Sequence, residues 1–275
     1  MRLFVRDSTR ARATFGSDYE YSEGDVNNTQ SLKRAIEGCG AVHINLKAGP
    51  EKGEAERVEH RGAARIAEVA TAAGLERITY LSGCYVSPEY AAHSEAEAAK
   101  LGAETAIKQS GAPYTLFKPT YFMETLAFHI QGAVGVVIGR QPRPLRMVAA
   151  DDYAAMVSKA LATPQAAGKE LFVFGPEPIT IPDALRIYCR LVSGGKRVVT
   201  VPLPLMSALN RVFMGGAMTR ELGTMRLLQS VGEPTGVPEA ATVLGAATTT
   251  LRDWCARQAA TKPVLAQNIR PSSDA

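Results

Sequence analysis

Lys100 stands on a helical stripe otherwise made of Ala96, Ala103 and Ile107, while Glu97 and Lys108 fall on other faces. A cation on an apolar stripe needs a partner at its tip. Two uses fit: an ammonium aimed at a bound group, or a snorkelling side chain paired with Glu104 one turn on. Just ahead of that helix Tyr85, Tyr90 and His93 cluster in a loop, and phenols and imidazoles are groups that transfer protons; as plain surface aromatics they would have no such role. Ser82 and Gly83 close the strand before the loop. Asn45, Leu46 and Lys47 end an earlier strand, where a parallel sheet presents its ligand crevice. Asp25 and Val26 end another, and Asp25 reads equally well as a carboxylate that only satisfies helix donors, a task open to Asn27 and Asn28 too. Arg6 and Arg10 form a basic cluster beside Asp7. Metal chemistry finds no support, because the four histidines show no HExxH spacing and Cys39, Cys84, Cys189 and Cys255 form no CxxC pair.

The elements that position these residues follow from alternation. Short β-rich runs separated by longer helical stretches predict a parallel α/β sheet. Strands are expected at Arg2–Arg6, Tyr19–Gly24, Ala41–Leu46, Arg77–Ser82 and Tyr114–Lys118, with helices at Ser8–Phe15, Thr29–Glu37, Glu54–Ala73 and His93–Gln109. Ala41–Leu46 (AVHINL) is apolar enough to be central. Gly62 lies on the apolar stripe of its helix and predicts close packing on the sheet. Beyond Phe122 the rhythm loosens. Asp151 or Asp152 reads as the N-cap of a helix to Leu161, and strands follow at Leu171–Gly175 and Val198–Pro202. The Met-rich segment Leu203–Met218 fits the core of a second lobe better than contact with a lipid, quinone or partner. A final helix spans Thr249–Gln258, and composition predicts a disordered tail over 259–275.

Composition narrows the function classes. With 31 Lys+Arg against 27 Asp+Glu in 275 residues, the net charge is +4, and the cations are scattered rather than gathered into a nucleic-acid stripe. No apolar run approaches the ~20 residues that span a bilayer. MRLFVRDSTR lacks the apolar core of a secretory signal, and a reducing cytoplasm is the expected compartment.

The ordered pieces VRD, EGDV, GLERITYLSG, AAKLGAE and PYTLFKPTYFMETL resemble the atypical short-chain dehydrogenase/reductases, most of all the NmrA-like NAD(P)H-binding branch. They are also similar to the related accessory subunit of respiratory complex I and to bacterial nucleotide-sugar epimerase-like proteins. The resemblance implies a Rossmann-like, doubly wound parallel sheet over 1–135 with a smaller C-terminal α/β substrate lobe over 136–258. It places Arg6 at the adenosine ribose, favouring NADP(H) over NAD through a 2′-phosphate, Asp25 and Val26 at the adenine edge, and Asn45, Leu46 and Lys47 along the ribose-side wall. Lys100 would bond the nicotinamide ribose, with Ser82 and Gly83 at the level where the family polarises a carbonyl. Pro119, Thr120, Tyr121 and Phe122 would close over the nicotinamide.

Two departures stand out. The family's Tyr-x-x-x-Lys has Ala96 in the tyrosine position, so Tyr85, with Tyr90 or His93, is the expected substitute, and the catalytic set becomes Lys100, Ser82 and Tyr85. The family's first strand and GxxGxxG turn have no counterpart, which leaves a gap at the sheet centre. An internal Met1 preceded by a βα unit of about 30 residues explains this better than a genuine lack filled by edge-to-edge pairing of two copies. The implied function is an NAD(P)H-dependent oxidoreductase on a small carbonyl or quinone-like substrate; the alternative is a non-catalytic dinucleotide sensor or an assembly protein with a protein partner.

Overall fold

The computed structural model describes residues 1–49, 51–234 and 239–260. In chain order the elements are β1 (Arg2–Val5), α1 (Ser8–Phe15), β2 (Glu20–Glu23), α2 (Thr29–Ile36), β3 (Ala41–Ile44), a π-helical turn (Ala55–His60) running into α3 (Arg61–Ala72), β4 (Arg77–Leu81), α4 (Pro88–Ala91), α5 (Glu95–Gln109) and β5 (Tyr114–Pro119). A 3₁₀ segment (Met123–His129) leads to β6 (Ile130–Gln131), β7 (Val134–Ile138), β8 (Leu145–Arg146), α6 (Ala150–Ala162), β9 (Lys169–Val173), β10 (Pro178–Ile179), α7 (Ile181–Leu191), β11 (Arg197–Val201), α8 (Leu203–Phe213), α9 (Thr219–Val231), α10 (Glu239–Leu244) and α11 (Leu251–Ala260). The α/β class is as expected. Two compact units result, one made of Met1–Lys118 with Met156–Leu171, the other of Pro119–Ala155 with the chain from Phe172 onward.

The first unit is built on parallel strands whose caps are written in the sequence. Asp7 caps α1 by accepting from the Arg10 backbone N–H at 2.8 Å, and Asn28 caps α2 by accepting from Gln30 and Ser31. Ser94 caps α5 from the Glu97 N–H. Ile44, Ile66, Ile78, Tyr80, Ile107 and Leu116 form its core, with Phe4, Val26 and Leu46 packed against it. Gly62 brings α3 close to the strand ends, since a Cβ there would lie 3.0 Å from Val26 Cγ2 and 3.3 Å from Leu46 Cδ1.

The pairing pattern is the fold's distinctive feature. β1 pairs in parallel with β2, while β3 pairs with β4, and β4 with β5, in a separate sheet of order β3-β4-β5-β9. Among the described residues β1 and β3 are not hydrogen-bonded to each other, so each presents an unpaired edge, as the expected central gap requires.

Several local expectations are corrected. The loop after Gly83 contains α4, because Ser87 caps it and Pro88 occupies its first turn. Asp151 and Asp152 lie inside α6 rather than capping it. Asp152 instead accepts from the Thr248 and Thr249 backbone N–H groups and the Thr249 hydroxyl, holding the approach to α11, while Glu124 accepts from the Ala150 N–H. Residues 259 and 260, expected in the tail, are helical because α11 runs through Ala260, and 261–275 lie outside the described residues.

Gly24 ends β2 where no side chain fits: a Cβ would fall 2.5 Å from Ser31 Cβ and 2.7 Å from Phe4 Cε2. Gly24→Ala should therefore cost about 1–3 kcal/mol, as overpacking of a filled site does, measured by urea unfolding. A loss within error would show that β1 and α2 can spread apart.

Candidate functional site

The carboxyl ends of β1, β2 and β3 converge on one cavity of about 340 Å³ in the first unit. Six residues singled out in the sequence line it: Arg6 after β1, Asp25 and Val26 after β2, and Asn45, Leu46 and Lys47 after β3. Parallel strands all deliver their carboxyl ends to one rim, which is how distant short motifs meet. The cavity has an apolar wall of Val26, Leu46 and Val58 and a rim of opposite charges, with Arg6, Lys47 and Arg57 against Asp25 and Glu54.

The side chains differ in how far they are committed. Asp25 closes a tight turn, one oxygen accepting from the Asn27 backbone N–H at 2.7 Å and its side-chain amide at 2.9 Å. Asn28 caps α2, and Asp25 serves a backbone donor just ahead of that cap. Arg6 is exposed and makes no ion pair among the described residues, whereas Arg57 reaches Glu51 only at 3.7 Å. Arg10, grouped with Arg6 by sequence, lies on α1 and does not line the cavity. Glu54, Arg57 and Val58 were missed because the helix was expected from its apolar stripe alone; the charged first turn was the available signal.

Next along the sheet, the edge of β4 gathers Ser82, Gly83 and Lys100. Lys100 Nζ lies 3.5 Å from the Leu81 carbonyl oxygen and 5.9 Å from the centroid of the Tyr80 ring. Ser82 is buried, and its hydroxyl donates to Glu104. The other Glu104 oxygen takes Lys118 Nζ at 3.1 Å, and Lys118 also reaches Glu170 at 2.7 Å. Glu104 is thus the buried anchor of Ser82 and Lys118. Its signal in the sequence was Lys118, a cation inside the otherwise apolar strand YTLFKP. Burial alone would lower the Lys118 pKa, but its hydrogen bonds and charge pairing with Glu170 and Glu104 outweigh that and hold it above the usual value. Tyr85 packs edge-on against Tyr90, ring centroids 6.4 Å apart, and His93 is exposed beyond α4.

The second unit holds the remaining predicted residues. Pro119 is buried. The Thr120 hydroxyl donates to the Arg146 carbonyl at 2.6 Å, and Phe122 meets the Tyr153 ring edge-on at 5.4 Å. His129 holds Tyr121. Its Nδ1 faces the Val136 carbonyl at 2.8 Å, which leaves Nε2 to accept from the Tyr121 hydroxyl at 3.0 Å. Burial keeps this imidazole below its usual pKa and raises that of Tyr121. Among the described residues no His, Cys, Asp and Glu cluster could hold a metal ion, and no helix is long and apolar enough to cross a membrane.

Comparison with known proteins bears on the family and the fold. The photosystem II assembly factor Ycf39 of Trieres chinensis is 20% identical over 218 residues, 78% of this chain and 68% of its own length. A (4-alkanoyl-5-oxo-2,5-dihydrofuran-3-yl)methyl phosphate reductase of Streptomyces griseus subsp. griseus is 29% identical over 185 residues, 66% of this chain and 61% of its own. The chain thus spans under two thirds of that reductase. Among solved structures, the NADPH-dependent quinone oxidoreductase QOR2 of Escherichia coli, complexed with NADPH, superposes with a TM-score of 0.71 at 20% identity, covering 93% of this chain and 89% of that one. That likeness shows a Rossmann-like fold. The profile of the NAD(P)H-binding family matches residues 1–164, more than half of the chain, and the protein belongs to that family.

Proposed function

We propose that the chain is a reductase that holds the adenosine end of NADP(H) in the β1–β3 cavity and acts on a small carbonyl or quinone-like substrate. The observation that carries this reading is the convergence of Arg6, Lys47 and Arg57 with Asp25 on a cavity with an apolar wall. Adenine needs an apolar slot and an acceptor for its amino group, and a 2′-phosphate needs cations free to pair with it. The cavity answers both needs, and Gly24 beside it has no room for a side chain. The bound dinucleotide would supply the hydride. Lys100, fixed against the end of β4, is suited to hold the nicotinamide ribose. Tyr85 is the proposed proton donor in place of the phenol absent at Ala96, with Ser82 held by Glu104 at the rim. Pro119, Thr120, Tyr121 and Phe122 form the proposed substrate-side cover. Four free cysteines, three of them buried, suit a reducing compartment such as the cytoplasm.

The test combines binding and turnover. Arg6→Ala should weaken NADPH binding by ~10–100-fold, the worth of a charged hydrogen-bonded pair of ~1.5–3 kcal/mol, while leaving NADH almost untouched. NADPH should be consumed with at least one acceptor in a carbonyl and quinone panel. Equal losses for both dinucleotides would remove Arg6 from the 2′-phosphate, and silence across the panel despite tight binding would favour a sensor.

A further inference from the structure

The segment expected to be core in the second unit turns its apolar side outward. Leu205, Leu209, Val212 and Phe213 follow one another at i, i+4, i+7 and i+8, the spacing of a single helical stripe, and all four are exposed, Val212 by 68% and Phe213 by 79%. The buried residues of α8 are Leu203 at its start and Asn210. Its side chain accepts from the Met218 backbone N–H at 2.9 Å and donates to the Thr219 hydroxyl at 3.2 Å, and its carbonyl takes the Gly216 N–H at 3.0 Å. A polar residue thus fastens the α8–α9 turn from inside while the Leu205, Leu209, Val212 and Phe213 stripe faces outward. Proteins rarely leave such a contiguous apolar patch uncovered.

Charge identifies the cover. Beside the stripe, α8 and α9 enclose a cleft of about 440 Å³ edged by Arg211, Arg226, Ser207 and Thr219. From Leu203 to Ser230 the segment carries three arginines, Arg211, Arg220 and Arg226, against the single Glu221. An interfacial helix joins an apolar face to cations that meet anionic headgroups; here the cations come jointly from α8 and α9, a supply that α8 alone does not reveal in sequence. A second copy of the chain is a poorer match, because two-fold pairing through the stripe would set one copy's arginines against the other's with little acid to balance them.

We infer that the α8–α9 hairpin is a peripheral docking surface for anionic phospholipid bilayers, with the Leu205–Phe213 stripe in the acyl boundary and Arg211 and Arg226 at the phosphates. This inference does not depend on dinucleotide binding. It is tested by co-sedimenting the full chain with phosphatidylcholine vesicles, with and without a quarter of phosphatidylglycerol. Capture is expected on the anionic vesicles and should fall at high salt. The double variant Val212→Ser/Phe213→Ser, exposed and therefore able to fold, should lower the partition coefficient by roughly tenfold or more, as loss of two buried apolar side chains does. Arg211→Glu should lower it on anionic vesicles alone. In the variant Phe213→Trp, the new indole emission should shift to the blue on anionic vesicles. No capture, equal capture on neutral vesicles, or capture unchanged by the serine pair would overturn the proposal. So would a wild-type dimer that the serine pair dissolves in the absence of vesicle binding, which would make the face a self-association surface.

Discussion

Replacing Lys118 by methionine should destabilise the protein by about 3–5 kcal/mol in urea unfolding, the cost of removing one partner from a buried ion pair. Its side chain is 8% exposed and that of Glu104 2%, so the surviving carboxylate would keep only the Ser82 hydroxyl while remaining out of water. The contact with Glu170 adds less, because Glu170 is 37% exposed and screened by solvent. Adding Glu104→Gln to Lys118→Met should restore much of the loss, since the buried charge is then gone. If the single variant costs under ~1 kcal/mol, water reaches Glu104 and the pair is not buried in the energetic sense.

The same network has a signed pH dependence. Lys118 is held above its ordinary 10.5, so its contribution is complete below that value and is lost as the pH rises through the folded pKa. Burial would raise the Glu170 pKa, but hydrogen bonds from Lys108 and Lys118 outweigh it and hold the carboxyl below 4.5. That contribution is present above 4.5 and fades as the pH falls through the lowered value. Both are complete across the neutral range.

The parts legible in the sequence are those with local causes. Strand runs such as RITYL and a cap such as Asn28 depend on neighbouring residues, and the rim of the cavity followed because parallel strands share one carboxyl edge. Long-range partners were not legible. Nothing near Ser82 in sequence announces Glu104, 22 residues away, and Asp152 looks like a cap until Thr248 and Thr249 arrive 96 and 97 residues later. Helix α8 misled for another reason: hydrophobic periodicity finds a face but not the side of the protein it points to. Only the burial of Asn210 and the exposure of Phe213 fix that.

The largest effect on function is expected from the open edges of β1 and β3. The cavity at their carboxyl ends offers an adenosine slot and cations, yet the described residues place no glycine-rich turn there, and a pyrophosphate is ordinarily held by backbone N–H groups at such a turn and the helix N-terminus behind it. Fusing a strand, glycine-rich turn and helix ahead of Met1 should let that strand pair with β1 on one side and β3 on the other. Two regained hydrogen bonds to a charged group, at ~1.5–3 kcal/mol each, correspond to a gain of roughly 10²–10⁴-fold in NADPH affinity by calorimetry. The same fusion should raise thermal stability, because two rows of unpaired backbone groups find partners. If the 275-residue chain already binds NADPH as tightly as the fusion, another segment holds the pyrophosphate. The unpaired edges would then be a property of the functional fold, and the cavity would have to bind the dinucleotide in a different orientation from the one drawn from Arg6 and Asp25.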